Sequence, residues 1–127
     1  MASGLLVLVV DDNADNRDMC EQYLRHAGCR VETAADGNEG LAKAQALHPD
    51  AIVMDLGMPR LDGWEATRQL KALASTRDIP IIVVSAHAYR DDRLRATAAG
   101  ADRYLVKPLS PQELLRAIQL MLPGQAP

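Results

Sequence analysis

Leu5-Leu6-Val7-Leu8-Val9-Val10 is an unbroken apolar run that stops on two acids, Asp11-Asp12. A strand with one wet face alternates polar and apolar residues; a run without alternation reads as a strand covered on both faces. Two more such runs follow: Ala51-Ile52-Val53-Met54, closed by Asp55, and Ile81-Ile82-Val83-Val84, ending at Ser85. Cys29 to Ala34, with Val31 as its main apolar side chain, reads as a weaker strand, and Tyr104-Leu105-Val106 as a short fifth one.

Between these runs the spacing turns helical. Met19, Tyr23, Leu24 and Ala27 recur every three or four residues over 15–27, and Gly28 stands where a C-cap is expected. Asp36 and Glu39 have capping-box spacing ahead of Leu41, Ala44 and Leu47, and His48-Pro49 ends that helix. Asp62 with Glu65 opens a third helix reaching about Leu73. A polar helix from about Tyr89 to Ala99 stops at Gly100. Ser110-Pro111 with Glu113 opens the last, which carries Leu114, Leu115, Ile118 and Met121 to Leu122. Five alternations of strand and helix predict an α/β protein with a parallel sheet covered on both faces.

The chain has 127 residues, a formal net charge of -3 and a hydrophobic fraction of 48%. That is one domain with enough apolar residues for a real core. The expected domain spans 5–122, with 1–4 as a short extension and 123–127 as a fraying tail. The charge excludes the strongly basic surface of a general nucleic-acid binder. Four aromatics (Tyr23, Trp64, Tyr89 and Tyr104) are too few and too dispersed for a base-stacking surface. No apolar run is long enough to span a bilayer. Residues 1–4 carry no basic n-region, so a cytoplasmic protein is expected. Cys20 and Cys29 form no metal-ligand or disulfide pattern and read as reduced, partly buried thiols.

In a parallel sheet every strand's carboxyl end lies on one edge, and ligands bind there. Asp11 and Asp12, Asp55, Ser85 and Lys107 stand at the ends of strands one, three, four and five. Three clustered carboxylates repel one another and need a cation. Oxygen donors of this kind suit Mg²⁺, with Mn²⁺ able to substitute, and the Lys107 ammonium adds a fixed charge. The remaining capacity suits a phosphoryl group. Asp55, between the others, is the candidate to receive it: a carboxylate is ionised near neutral pH and needs no general base. Lys107 and the Ser85 hydroxyl would hold phosphoryl oxygens.

Val9-Val10-Asp11-Asp12-Asn13, Met54-Asp55-Leu56-Gly57-Met58-Pro59 with Asp62-Gly63, Val84-Ser85-Ala86 and Tyr104-Leu105-Val106-Lys107-Pro108 together resemble the receiver domain of bacterial two-component response regulators. The resemblance extends from about Leu5 to Leu122. It implies a doubly wound, flavodoxin-like sheet of five strands in the order 2-1-3-4-5 with five flanking helices. It also implies phosphorylation of Asp55 by a sensor His kinase or His phosphotransfer protein. The implied Mg²⁺ ligands are Asp11, Asp12, Asp55 and the backbone carbonyl of Gly57. Ser85 and Tyr104 match the family's switch pair, and Lys107-Pro108 a dipeptide whose bond is usually cis. Phosphorylation would draw the Ser85 hydroxyl inward, let Tyr104 rotate and reshape the face of helix four, strand five and helix five. That face would control a downstream protein or a fused output domain, without direct nucleic-acid contact or membrane insertion.

Two positions depart from the commoner pattern: Gly57, where many relatives carry a larger side chain, and His87, in a variable position. Both are expected to flank the phosphoryl group and tune its lifetime. Plainer readings stand beside the sharp ones. Acids after a strand can be solvated, Lys107 a surface lysine, Ser85 a strand-ending serine and Tyr104 a static core aromatic. Arg90, Arg93 and Arg95 with Asp91 and Asp92 read as a solvated helix face or partner-docking surface, Trp64 as packing, and His26 and His48 as helix-end residues without chemistry. A flavin protein would want an uncharged phosphate-cradling loop where Asp11-Asp12-Asn13-Ala14-Asp15 stands. An aspartate-nucleophile phosphatase would want an acid at Gly57. A degenerate receiver, acting as a phosphorylation-independent interaction module, conflicts with the full acid set. The expectation is therefore a signalling module that assists its own phosphorylation without being a turnover enzyme. It would be either a stand-alone regulator or one domain of a larger protein.

Overall fold

Ten elements alternate along the chain in a computed structural model that describes residues 4–55, 63–85, 90–107 and 109–122. They are β1 (Leu6–Val10), α1 (Ala14–His26), β2 (Arg30–Ala34), α2 (Gly37–Leu47), β3 (Ala51–Asp55), α3 (Gly63–Ala72), β4 (Ile81–Ser85), α4 (Arg90–Ala99), β5 (Arg103–Val106) and α5 (Pro111–Met121). The strands form one parallel sheet in the order β2-β1-β3-β4-β5. The expected architecture and strand order both hold. Side chains of residues 90–92 lie outside the description, as do Gly57, Pro59, Asp62, His87, Tyr89, Pro108 and the tail beyond 122.

The strands sort their side chains by parity, because successive residues point to opposite faces. Val7, Val9, Ala51, Val53, Ile82 and Val84 pack with Leu24 of α1 and with Leu114, Ala117 and Ile118 of α5. Leu8, Val10, Ile52, Met54, Ile81 and Val83 pack with α2, α3 and α4 through Leu41, Ala44, Trp64, Leu70 and Ala96. Both faces of the three central strands are therefore buried, which is why their sequences do not alternate. The helix and strand faces approach closely at Gly40: a Cβ there would lie 2.9 Å from Val10 Cγ2.

Local signals set the helix ends. Asn13 caps α1 by accepting from Asn16 N at 3.0 Å, so α1 starts at Ala14, ahead of the apolar spacing that begins its amphipathic face. Gly28 follows with φ 101°, the left-handed conformation expected after the helix. In α2 the Asp36 side chain accepts from Glu39 N at 2.8 Å, while Glu39 Oε1 accepts from Ala35 N at 2.6 Å, one residue before the cap itself. Ser110 Oγ accepts from Glu113 N at 3.1 Å, and Pro111 is the first residue of α5.

Candidate functional site

The parity that builds the core also assembles the site. Asp11 follows Val9 by two, Asp55 follows Val53 by two and Lys107 follows Leu105 by two, so all three side chains continue the α1/α5 side of the sheet to its carboxyl edge. One carboxylate oxygen from each of Asp11, Asp12 and Asp55 lies within 4.8 Å of the other two. Asp11 and Asp55 are buried, Asp12 is exposed. Lys107 Nζ donates to Asp55 Oδ1 at 3.0 Å. The expected convergence of these four residues is present.

Asp55 is the last residue of β3, paired with Val84 of β4, so the ladder itself fixes its backbone. Burial pushes its carboxyl up from 3.8 to about 6. Lys107, by hydrogen bond and by charge, pulls the other way, while the charges of Asp11 and Asp12 add to the rise. The group is still mostly ionised at pH 7. The acid pair is held separately: Asn13 N donates to Asp11 Oδ1 at 2.9 Å, and Arg17 Nη1 donates to the Asp11 carbonyl at 2.8 Å. The sequence alone did not single out Arg17. Its signal was a cation as the fourth residue of a helix, near the end whose dipole disfavours positive charge.

Ser85 ends β4 one residue beyond the Asp55–Val84 pair, and strand alternation puts it on the parity of Ile81 and Val83, facing α3 and α4. It is 3% exposed, and its carbonyl accepts from Lys107 N at 2.7 Å. Ser85 thus shares the edge with the acids but belongs to the opposite face. Tyr104 is half-buried on that same face, packed against the α2/α3/α4 core. The Arg93 guanidinium sits over its ring, 5.0 Å from the centroid, and Arg95 sits 4.6 Å over Trp64. These two arginines are therefore more than solvated charges, because each covers an aromatic ring. Gly57, His87 and Pro108 fall outside the described residues.

Beside the acids a cleft of about 260 Å³ runs between α1 and α5, over Met19, Cys20, Leu109 and Leu114. Both cysteines are free thiols, as expected. Burial, then the charge of Asp11, pushes the Cys20 thiol up, with Lys107 opposing, so it stays protonated and weakly nucleophilic at neutral pH. Among the described residues, no helix is long and apolar enough to cross a membrane.

The sequence pattern of the response regulator receiver domain matches residues 7–119. The chain belongs to that family. As a receiver domain it is 38% identical to the protein PilG of Pseudomonas aeruginosa over 126 residues, covering 99% of this chain and 93% of PilG. It is 45% identical to the transcriptional regulatory protein PrrA of Mycobacterium tuberculosis, but spans only 49% of that protein. Its fold superimposes on the chemotaxis protein CheY4 of Vibrio cholerae with a TM-score of 0.90, at 37% identity over 94% of this chain and all of CheY4. The receiver domain of the sensor histidine kinase PA1611 from Pseudomonas aeruginosa matches at TM-score 0.85 and 40% identity, covering 93% of this chain and 97% of that domain. That structure holds a magnesium ion in its active-site cleft. The chain is a receiver domain of two-component signalling, and its acidic pocket of Asp11, Asp12 and Asp55 fits a phosphoacceptor role.

Proposed function

We propose that Asp55 accepts a phosphoryl group from a phosphohistidine on a sensor His kinase or His phosphotransfer protein. The observation that supports this most is the convergence of three carboxylates within 4.8 Å with Lys107 Nζ at 3.0 Å from Asp55. In the transfer, an Asp55 carboxylate oxygen bonds to phosphorus as the phosphorus–nitrogen bond of the donor breaks, and the leaving imidazole nitrogen keeps the electron pair. Lys107 orients the nucleophile before transfer and holds a phosphoryl oxygen after it. The proposed receiver unit is 5–122.

The donor set fits Mg²⁺, since it is all oxygen, anionic, and open to water at Asp12. Asp11, Asp12, Asp55 and the carbonyl of Gly57 would hold the ion, and Mn²⁺ accepts the same ligands. Bound there, it would supply positive charge against the repulsion between carboxylate and phosphoryl oxygens. Gly57 and His87 would flank the phosphoryl group, and Gly57→Asn or His87→Ala would alter its lifetime without disturbing the fold.

Ser85 would carry the signal across the sheet. Its position at the shared edge, on the α3/α4 parity, lets its hydroxyl respond to a new anion on Asp55. Its movement opens room for Tyr104 to turn inward. That turn would break the Arg93 contact over the ring and change the face of α4, β5 and α5, which engages a downstream protein or fused output domain. Phosphorylation acts only through its different interaction with the two arrangements. The unit would assist its own phosphorylation and dephosphorylation without acting as a turnover enzyme. It would work in the cytoplasm, where kinases charge their histidines from ATP.

The deciding measurement is intact mass after treatment with acetyl phosphate and Mg²⁺. A phosphate adduct on the wild type and none on Asp55→Ala is expected. An adduct on both would move the acceptor elsewhere, and none on either would leave a degenerate receiver.

A further inference from the structure

Asp11 must present its carboxylate to the other two acids, and among the described residues three hydrogen bonds fix it. Its N–H donates to the Ala34 carbonyl at 3.0 Å, continuing the β1–β2 ladder by one residue. Its Oδ1 accepts from Asn13 N at 2.9 Å. Its carbonyl accepts from Arg17 Nη1 at 2.8 Å. The first two donors and acceptors lie in the main chain or in Asp11 itself, so no other side chain supplies them. The third depends on Arg17 alone.

Arg17 stands where the helix gives a cation no support and the acids offer it a partner. It is the fourth residue of α1, close to a helix end that disfavours positive charge, and it is near a triad of acids that would accept it as an ion-pair partner. Among the described residues it pairs with none of them and donates to a main-chain carbonyl instead. We infer that Arg17 is a positioning residue for the acid site: by tethering the Asp11 carbonyl to α1, it fixes the Asp11-Asp12 turn so that both carboxylates face Asp55. The assignment rests on the metal-binding reading above. It goes beyond that reading by giving the site a support outside the acids and the lysine.

The sign of the effect separates positioning from charge. Removing a cation beside three acids would, by Coulomb's law alone, tighten the binding of a dication. Losing a tether that orders two ligands loosens it, and supporting residues of this kind cost about 10-fold or more in metal affinity when removed. Calorimetric titration of the full chain with Mg²⁺ alone, paired with urea midpoints in EDTA, decides between them. The expected result is Arg17→Ala binding Mg²⁺ about 10-fold more weakly than wild type, with Arg17→Lys, which keeps a donor and the charge, recovering part of the loss. Should alanine cost the fold, Arg17→Met, which is neutral, fills similar space and has no donor, is expected to show the same weakening. A neutral variant that folds and binds as tightly as wild type, or more tightly, would overturn the inference. A wild type that shows no Mg²⁺ binding would overturn the metal reading and this inference with it.

Discussion

Replacing Asp55 with asparagine should stabilise the metal-free protein at neutral pH and leave it nearly unchanged in acid. Asp55 is 9% exposed, and burial raises its carboxyl from 3.8 to about 6. Between those values the folded chain retains a proton that the unfolded chain has released. Protonated Asp55 therefore contributes its full stability below the unfolded value, and that contribution is lost as pH rises through about 6. A gap of roughly two pH units corresponds to about 3 kcal/mol. Asparagine keeps the shape of the neutral acid and does not titrate, so subtracting its pH profile from that of wild type isolates the Asp55 contribution. Urea unfolding in EDTA from pH 3 to 7.5 reads it. Wild type should lose about 3 kcal/mol relative to Asp55→Asn across the interval, or about 1 to 2 M in urea midpoint. Saturating Mg²⁺ should then restore wild type at pH 7.5 far more than the variant, because a ligand that binds only the folded state stabilises it by mass action. A difference between the two proteins that stays flat across the pH range would refute the argument that ionised Asp55 is held at a cost.

Three further outcomes are expected. Lys107→Met should raise the titration midpoint of Asp55 above about 6, followed by NMR of the carboxyl carbon, since both effects of Lys107 favour the ionised form. Gly40→Ala should destabilise by about 1 to 3 kcal/mol in chemical denaturation, because the new Cβ meets Val10 Cγ2 at 2.9 Å on a strand that cannot retreat. Thr67→Val should raise the melting temperature by an amount equivalent to about 1 kcal/mol, because Thr67 Oγ1 is buried without a hydrogen-bond partner among the described residues and the methyl that replaces it needs none.

The sheet was legible because its central strands are buried on both faces, and a continuous run such as Val7 to Val10, too short for a buried helix, suits a covered strand. The edge acids were legible for the same reason: an ionisable residue directly after such a run can only lie at a sheet edge. The caps at Asp36 and Ser110 were legible from their spacing, but that of α1 was not. Asn13 sits in an acidic stretch that looks like a solvated loop, and its role emerges only from the Asn16 N–H it satisfies. The sequence placed Ser85 with the acids but assigned it no face; register and parity put it with α3 and α4. Contacts between distant elements left no local mark. Nothing near Arg93 or Arg95 in sequence announces the rings of Tyr104 and Trp64, and nothing near Arg17 announces a carbonyl six residues earlier.

Helix α4 is attached thinly. Among its described residues, only Ala96 and Ala99 are buried, Leu94 is 56% exposed, and the two guanidinium–ring contacts flank it. Two alanines remove little apolar surface from water, and stacked arginines at the rim trade readily with solvent. Amide protons of α4 should accordingly exchange with deuterium sooner than those of α5, whose Leu114, Ala117 and Ile118 are anchored in the opposite core. A segment so loosely moored can be displaced by the modest energy of one new anion, whereas the layers beneath it stay rigid.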